Sequence, residues 1–318
     1  RHIEGLSQEL INRGYQIEVI AEKHKAVKDE EKVDGVLVHR IPGRYLQGKL
    51  GLWSWMWKHK HLFMTADVIH IHDVFWWYLP LRILFLTKPT YMTFHGYERI
   101  EGPTFSAIII RKISEKLSWG CICIGGWMRK WYGQIPEIVS YGAALSHPIS
   151  LPNKLSAVFI GRLEKDTGVL AYIEGIKLLE GKITLDIFGK GELGEQIKTS
   201  IKGFKYICLH SETDNPRAEI GRHRFVFASQ YLMMLEAQQI GRQVVAFANT
   251  ALKRDYLNSF PTHKQIICIG SAGEMAKELG KFVRYPRAEG DNISKASVWA
   301  QKQTWKKLAD EYEKLWRR

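Results

Sequence analysis

The most constraining feature of this sequence is the stretch from His223 to Ala248, which combines two strand-like runs with one helical run. A β-rich run, Arg224 to Ala228, precedes residues with helical periodicity, Tyr231 to Ile240. Gly241 then suits a left-handed helix end, and a second apolar run, Gln243 to Ala248, follows. This order predicts two parallel strands joined by a right-handed crossover. The sequence therefore indicates an α/β fold.

The predicted helix carries one acid in an apolar setting. Ser229 stands where a helix N-cap is expected, and Glu236 follows Leu235. Glu236 is either a solvated surface residue or a ligand-binding acid near the carboxyl edge of the sheet, where open α/β sheets bind ligands. The residue pattern alone leaves both interpretations open.

This stretch resembles a motif of the family 4 glycosyltransferases. Leu235-Glu236-Ala237, followed by the run from Gly241 to Ala246, is similar to the family pattern "LEA" before "G-x-PVVA". The resemblance implies a GT-B fold, with two Rossmann-like domains, a cleft between them and a C-terminal helix that returns to the first domain. It also implies that Glu236 and Leu235 bind a nucleotide-sugar donor, with Glu236 on the ribose hydroxyls.

The length of 318 residues favours two domains. We predict an acceptor-side domain over residues 1–145, a donor-binding domain over 146–295, and a returning helix over 296–318, with Ala296 to Trp316 as one continuous helix. Tyr141 to Pro152 reads as the linker between the domains. In the family, a strand and a glycine-rich loop precede the segment with which this sequence begins, so we expect an N-terminally incomplete chain.

Composition narrows the class of protein. Apolar runs are far shorter than the roughly 20 residues of a membrane span, and no signal peptide is visible, which predicts a cytoplasmic protein. The four cysteines fall on predicted strands without paired spacing, so we expect reduced core thiols and no zinc site. They are Cys121, Cys123, Cys208 and Cys268.

The net charge of +13 points to anionic partners. Basic residues outnumber acids in both halves, so the charge is not a detachable tail. Nucleic acid, an anionic membrane and phosphate-bearing small molecules all fit this charge. Since no nucleic-acid-binding motif is recognisable, we expect no nucleic-acid partner.

One segment combines tryptophans with basic residues and contains no acid, namely residues 35–66. Trp53, Trp55 and Trp57 either pack a helix with basic ends or rest on an anionic lipid surface. The second interpretation predicts weak peripheral contact with the inner face of the plasma membrane. The basic residues are Arg40, Arg44, Lys49, Lys58 and Lys60.

Two strand ends in the first half carry polar residues. Asp67 to Asp73 reads as a buried strand whose His70 and His72 share a face, and it resembles the family's "DVIHVHD". Such histidines are expected to be hydrogen-bonded structural groups, because the sequence shows no third ligand for a metal. The run Thr93 to Glu98 resembles the family's "T-x-HG-x-E". The resemblance implies that Asp73, His95, Gly96 and Glu98 line the cleft beside the acceptor, with His95 also next to the transferred sugar.

The second half begins with a loop that resembles the family's "GRL-x-x-x-KG", at Gly161 to Gly168. There Arg162 and a lysine are implied to neutralise the donor diphosphate, but Thr167 occupies the lysine position. We expect Lys165 or Arg242 to substitute, or donor affinity to fall roughly 10- to 100-fold. A later turn with Gly189 and Gly191 resembles the family's "G-x-G" near the nucleotide base.

The family usually places an earlier glutamate eight residues before the ribose acid, and that position is Ala228 here.

Taken as a whole, the resemblance predicts a retaining transferase that moves a sugar from a nucleoside-diphosphate sugar to a glycan or lipid-linked acceptor, in cell-envelope polysaccharide synthesis. His95, Arg162 and Glu236 are the expected catalytic residues, and neither a metal nor another cofactor is expected. The alternative is a degenerate GT-B protein that binds nucleotide or glycan without turnover.

Overall fold

The computed structural model describes residues 2–24, 27–144, 152, 154–285 and 290–317. The chain divides into two compact units. The first comprises Arg1–Glu98, Gly102–Ser140 and Trp305–Arg318, and the second comprises Arg99–Glu101 and Tyr141–Thr304. The predicted boundary at residues 145/146 and most of the predicted linker lie outside the described residues.

The first unit contains two sheets. Strand β1 (Glu18–Glu22) pairs in parallel with β3 (Val36–Ile41), and β2 (Glu30–Val33) pairs antiparallel with β3. Four parallel strands form the other sheet in the order β4 (Ile69–His72), β5 (Thr90–Phe94), β6 (Gly120–Ile124) and β7 (Ile138–Ser140). Polar residues of β4 and β5 therefore reach the same edge of this sheet.

The many charged residues from Lys23 to Lys32 predict a solvated loop, but strand β2 begins at Glu30, so that prediction is wrong for residues 30–32. Val33 pairs with Val36, and Asp34 and Gly35 between them have φ values of 47° and 86°. An Asp-Gly pair with positive φ at both positions suits a two-residue hairpin. The Asp34-Gly35 pair could therefore have predicted this hairpin from the sequence.

Six described α-helices of the first unit come from its N-terminal part, and a seventh comes from the C-terminal end of the chain. The helices are α1 (His2–Asn12), α2 (Lys49–Lys58), α3 (Lys60–Thr65), α4 (Phe75–Leu84), α5 (Phe105–Leu117) and α6 (Trp127–Tyr132), with α14 (Trp305–Trp316) at the end. Residues 43–45 form a short 3-10 turn in addition. Arg13, which follows α1, forms ion pairs with Asp310 at 2.7 Å and Glu313 at 3.2 Å on α14. The C-terminal helix is thus part of the first unit.

The second unit is built on one six-stranded parallel sheet. Its strands are β8 (Ser156–Ile160), β9 (Thr184–Phe188), β10 (Ile207–His210), β11 (Phe225–Phe227), β12 (Gln243–Phe247) and β13 (Ile267–Ile269). They lie in the order β10-β9-β8-β11-β12-β13. The order reverses direction beside β8, which is the point where open α/β sheets bind ligands at the carboxyl ends of their strands.

Helices connect these strands. They are α7 (Val169–Lys177), α8 (Gly194–Ser200), α9 (Pro216–Arg222), α10 (Tyr231–Gln239), α11 (Ala251–Asn258), α12 (Ala272–Arg284) and α13 (Gly290–Ala300). The main core packs inward-facing residues of the central strands against α7 and α12, as Ile173, Leu185 and Met275 show. Two α/β units with parallel sheets match the predicted fold class.

The strand, helix and strand predicted around residue 231 are confirmed. Strands β11 and β12 pair in parallel, α10 joins them, and Gly241 adopts the left-handed conformation with φ 73°. The predicted N-cap is wrong, because Gln230 rather than Ser229 precedes the helix and no side-chain cap is formed. The backbone carbonyl of Ser229 instead accepts a hydrogen bond from the Lys253 amine.

The predicted continuous helix from Ala296 to Trp316 is also wrong. Helix α13 ends at Ala300, and α14 begins at Trp305. The buried amide of Gln239 donates to the carbonyl of Ala300 at 3.0 Å and to that of Gln303 at 3.3 Å. Because these carbonyls are satisfied by a side chain from α10, the helix can end there without a glycine or proline.

The tryptophans of α2 divide between packing and exposure. Trp55 is buried, and the indole of Trp53 donates to the carbonyl of Trp76 at 2.9 Å. Trp57 is 51% exposed, with the amine of Lys60 4.8 Å above its ring. Within the described part of the chain, no helix has the length and apolarity needed to cross a membrane.

The cysteines are free, and all four lie on strands. Cys121 and Cys123 are buried as expected. Cys208 and Cys268 are exposed, so the expectation of core thiols is wrong for these two. Each sits on a strand near the edge of the six-stranded sheet, where one face is open to solvent.

Candidate functional site

The polar residues at the ends of β4 and β5 form one cluster in the first unit. Asp73 follows β4 with a φ of 63°, and its Oδ1 accepts a hydrogen bond from the backbone N–H of His95 at 2.9 Å. Burial raises the pKa of Asp73, and this hydrogen bond acts in the opposite direction. The contact fixes the start of the loop after β5, where Gly96 follows.

Arg111 of α5 holds the rest of that loop. Its guanidinium donates to the carboxylate of Glu98 at 2.8 and 3.0 Å and to the carbonyl of Gly96 at 2.5 Å. It also lies 4.0 Å from the ring centroid of Tyr132, whose hydroxyl donates to the other oxygen of Glu98 at 2.5 Å. The sequence motifs did not single out Arg111, which directly follows the apolar run Ile108 to Ile110.

A chain of hydrogen bonds links the histidines of β4 to the C-terminal helix. The Trp316 indole donates to Nδ1 of His70 at 2.9 Å, so Nε2 of neutral His70 carries the proton and donates to the Thr93 hydroxyl at 2.7 Å. The Thr93 and Tyr312 hydroxyls are 2.9 Å apart, and the Tyr312 hydroxyl is 3.3 Å from Nε2 of His2. The expectation that His70 is a hydrogen-bonded structural group is confirmed.

His72 and His95 form a second pair, with Nδ1 of His72 2.8 Å from Nε2 of His95. Burial lowers the pKa of His95 to about 4 and the pKa values of His2 and His70 to about 3, and it lowers that of His72 well below the usual value. These imidazoles are therefore neutral at pH 7. Any contact between His95 and a sugar would use Nδ1 or the backbone, because Nε2 is engaged by His72.

The sequence shows no third metal ligand beside the strand histidines, but the structure brings His2 close to them. Ligand nitrogens of His2, His72 and His95 lie within 4.8 Å of one another, which is close enough to share a cation. The cluster contains no carboxylate or thiolate to neutralise a cation, and the hydrogen bond between His72 and His95 engages one nitrogen of each ring. It is therefore described as a hydrogen-bonded group.

In the second unit, the two predicted glycine-containing loops pack directly against each other. Gly161 N–H donates to the Phe188 carbonyl at 3.0 Å, and Leu163 N–H donates to the Lys190 carbonyl at 2.9 Å. A Cβ at Gly189 would lie 1.9 Å from the Gly161 oxygen, and one at Gly191 would lie 2.5 Å from the Leu163 oxygen. Glycine is required at both positions because the backbones approach too closely for a side chain.

Arg162 extends from this paired loop into solvent. Its guanidinium forms ion pairs with Glu164 and, at 2.9 Å, with Asp166. Thr167, at the family's lysine position, is buried and donates to the Glu164 carbonyl at 2.7 Å. Lys165 is exposed on the same loop.

Arg242 cannot replace the missing lysine, because its guanidinium is committed to the protein backbone. The side chain is 2% exposed and donates to the carbonyls of Ile240 at 2.9 Å and Gly221 at 2.6 Å. This corrects the expectation that Arg242 might contact a diphosphate. Its role is to join α9 to the end of α10.

Lys253 of α11 is a buried cation that the sequence analysis missed. Lys253 is 4% exposed, and its amine donates to the Ser229 carbonyl in the turn before α10. Burial lowers the pKa of Lys253 to about 8, while the nearby Asp166 carboxylate opposes that shift. Since Arg162 pairs with the same Asp166, the structure brings Arg162 and Lys253 to one region of the second unit.

Glu236 lies on α10 and is 6% exposed, with Leu235 fully buried beside it. The interpretation of Glu236 as a solvated surface residue is therefore wrong. A buried acid is costly unless it meets polar partners, so Glu236 belongs to the buried part of this helix rather than to its solvated surface. The structure thus groups Asp73, His95, Gly96 and Glu98 in the first unit, and it places the predicted donor residues in the second.

Comparisons with known proteins agree with this architecture. Residues 1–138 match the family model described as Glycosyltransferase Family 4. A search of curated proteins finds no match to the sequence. Among solved structures, HepE from Anabaena in complex with UDP has a TM-score of 0.70 at 12% identity, covering 94% of this chain and 99% of that chain.

Two further structures are similar. WaaG, a glycosyltransferase involved in lipopolysaccharide biosynthesis, has a TM-score of 0.65 at 12% identity, covering 98% of this chain and 94% of that chain. TarM has a TM-score of 0.65 at 14% identity, and the match covers 85% of this chain but spans only 58% of the TarM chain. These likenesses establish the fold. The first 138 residues are thus similar to glycosyltransferase family 4, and the chain has the GT-B fold.

Proposed function

We propose that this protein transfers a sugar from a nucleoside-diphosphate sugar, bound by the second unit, to a glycan or lipid-linked acceptor, bound by the first. The observation that carries the proposal is the pair of buried charges on and before α10. Glu236 lies within the helix, and the Lys253 amine contacts the turn that precedes it. A cation and an acid held in this way suit a diphosphate and the ribose attached to it.

Lys253 and Arg162 would share the diphosphate. Arg162 can bind phosphate oxygens through two N–H groups, and it would exchange its present partners, Glu164 and Asp166, for the donor. Lys253 supplies the charge that Thr167 cannot, from another element. First-turn amides of α10 would add partial positive charge. Together these groups would stabilise the negative charge that grows on the leaving diphosphate.

On the acceptor side, His95 would contact the sugar or the acceptor hydroxyl while Asp73 and Arg111 keep its loop in place. The family resemblance supports retention of the anomeric configuration and a role in cell-envelope polysaccharide synthesis. HepE has been crystallised with UDP-glucose, and WaaG acts in lipopolysaccharide biosynthesis. We expect no metal cofactor, because Arg162 and Lys253 provide the cationic charge.

The proposal is tested by incubating the protein with a panel of UDP- and GDP-sugars and measuring both nucleotide release and binding heat. Release above that of a Glu236→Gln, His95→Ala double variant, unaffected by chelators, supports transfer chemistry. Binding of the diphosphate without release from any donor supports the alternative of a degenerate binder. If neither binding nor release is observed, both the transferase proposal and the degenerate-binder alternative are contradicted.

An exposed face of α2, with Leu50 and Trp57 seven residues apart, supports peripheral membrane contact. Leu50 and Trp57 are 79% and 51% exposed, and the neighbouring Arg44 and Lys58 are also exposed. An apolar residue beside an aromatic ring and basic side chains suits an anionic lipid surface. Flotation with phosphatidylglycerol vesicles, compared with phosphatidylcholine vesicles, tests this. We expect weak binding that requires the anionic lipid and decreases in high salt. Equal flotation with the two kinds of vesicle would contradict membrane contact of this type.

A further inference from the structure

A second group of chemically reactive side chains lies on the other half of the second unit's sheet, apart from the residues proposed to bind the donor. Cys208 of β10 is the register partner of Asp186 of β9, and His210 follows two residues later on the same face. Leu185 and Ile187 alternate with Asp186 and point into the core. The polar residues therefore occupy the opposite, partly open face of the two strands.

These side chains approach one another closely. Ligand atoms of Asp186, Cys208 and His210 all lie within 4.8 Å of one another. Nε2 of His210 is 2.6 Å from one carboxylate oxygen of Asp186, and Nε2 of His223 is 2.9 Å from the other. The ring of His210 stacks on Phe188 with centroids 4.5 Å apart, which fixes its orientation. Two imidazoles and a thiol thus surround one carboxylate.

The hydrogen bonding of His223 suggests what the cluster binds. Its Nδ1 lies 2.7 Å from the carbonyl of Glu219, and a carbonyl can only accept, so Nδ1 carries a proton. In neutral His223 the lone pair of Nε2 therefore points at the Asp186 carboxylate, which is also an acceptor. A second proton would make this contact an ion pair, whereas in the neutral form Nε2 and the carboxylate can share a metal cation. Metal-binding histidines commonly donate their other N–H to a backbone carbonyl in this way.

We propose that Asp186, Cys208 and His210, whose ligand atoms lie within 4.8 Å of one another, bind a divalent transition metal of the zinc class, and that His223, which contacts the second oxygen of Asp186, completes the site as a fourth ligand. Thiolate, imidazole and carboxylate ligands together suit Zn²⁺, which favours four ligands in structural sites. The ligands come from β9, from the edge strand β10 and from the end of α9. The metal would therefore tie the edge of the sheet to its neighbour and to that helix. This inference does not depend on the proposed transferase function.

The test uses cobalt as a spectroscopic substitute for zinc. Chelator-treated protein is titrated with Co²⁺, and the thiolate-to-cobalt charge-transfer band in the near ultraviolet is recorded. We expect one equivalent to produce the band and Zn²⁺ to remove it. The histidines of the first unit cannot produce such a band, because they have no thiolate among them.

Matched cysteine variants identify the ligand. Cys268 is also exposed, on β13 of the same sheet, so Cys268→Ser should keep the band whereas Cys208→Ser should abolish it. His223→Gln should weaken metal affinity at least about 10-fold. Zn²⁺ should raise the melting temperature of the wild type but not that of Cys208→Ser. Absence of the band in wild-type protein, or the same band in both cysteine variants, would overturn the proposal.

Discussion

The carboxylate of Asp73 accepts a hydrogen bond from the backbone N–H of His95 at 2.9 Å, which joins the end of one parallel strand to the loop after the next. Asp73 adopts a left-handed backbone conformation to do so, with φ 63°. Asparagine offers the same acceptor and tolerates this conformation, whereas alanine offers neither. Substitutions at Asp73 can therefore perturb the loop after β5 in two graded steps.

We predict that Asp73→Ala lowers the free energy of unfolding by about 2–4 kcal/mol, because it loses a hydrogen bond and adds backbone strain. Asp73→Asn should cost less than about 1 kcal/mol. Urea unfolding of both variants measures this. Equal losses in the two variants would show that the carboxylate charge, rather than the acceptor atom, matters.

Glu236→Gln should raise the apparent Michaelis constant for the donor roughly 10- to 100-fold and change the turnover number much less. The reason is that a charged hydrogen bond to the ribose is worth about 1.5–3 kcal/mol. Steady-state kinetics over a range of donor concentrations provides the measurement. Glu195→Gln, at a side chain that is 87% exposed, serves as the control and should behave as the wild type. Unchanged donor kinetics in Glu236→Gln would refute the assigned role.

Lys253→Met should weaken UDP binding roughly 10- to 100-fold and uridine binding hardly at all, because the lysine is assigned to the diphosphate. Lys253→Arg should retain part of the affinity. The neighbouring exposed Arg254 provides a matched control, and Arg254→Met should bind UDP normally. Equal losses for UDP and uridine would indicate a structural role instead.

The neutral histidine cluster predicts acid sensitivity. The pKa of His95 in the folded state, about 4, lies below the value of about 6.5 expected in the unfolded chain. As the pH falls below 6.5, the unfolded state binds protons first, so stability is highest above pH 6.5 and decreases towards pH 4.

Each such histidine should remove up to about 1.4 kcal/mol of unfolding free energy per pH unit in this window. Urea unfolding at pH 7.5, 6 and 5 measures the slope. His95→Asn should reduce it by as much as one proton, and His61→Asn, at an exposed position, should leave it unchanged. A wild-type stability that is flat from pH 7.5 to 5 would show that these groups are not buried as neutral imidazoles.

Sequence patterns within a segment predicted helices and strands such as those around α10. The differences between prediction and structure arise where residues distant in the sequence make contact. The helical periodicity and Gly241 sufficed for α10 and its flanking strands. The end of α13 could not be predicted, because the amide of Gln239, 61 residues earlier, satisfies the Ala300 carbonyl. Lys253 was missed for a similar reason: only the folded structure brings α11 against the turn before α10.

For the candidate donor site, too, the sequence identified residues whose roles only the folded contacts explain. Gly189 and Gly191 could be recognised from the motif, but their need for glycine comes from the opposing backbone of Gly161 and Leu163. The sequence offers Arg242 as a substitute for the missing lysine, and only its contacts with backbone carbonyls remove it from the donor site. Charge in the sequence therefore did not reveal which cations can reach a phosphate.

The most direct test of the central claim is calorimetric titration of the purified protein with UDP, GDP and ADP at moderate salt. We predict one saturable site per chain for at least one of them, weakened roughly 10- to 100-fold by Lys253→Met and by Glu236→Gln, and unaffected by Arg254→Met. Absence of saturable binding to all three nucleotides, or equal affinity in the Lys253 and Glu236 variants and the wild type, would contradict it.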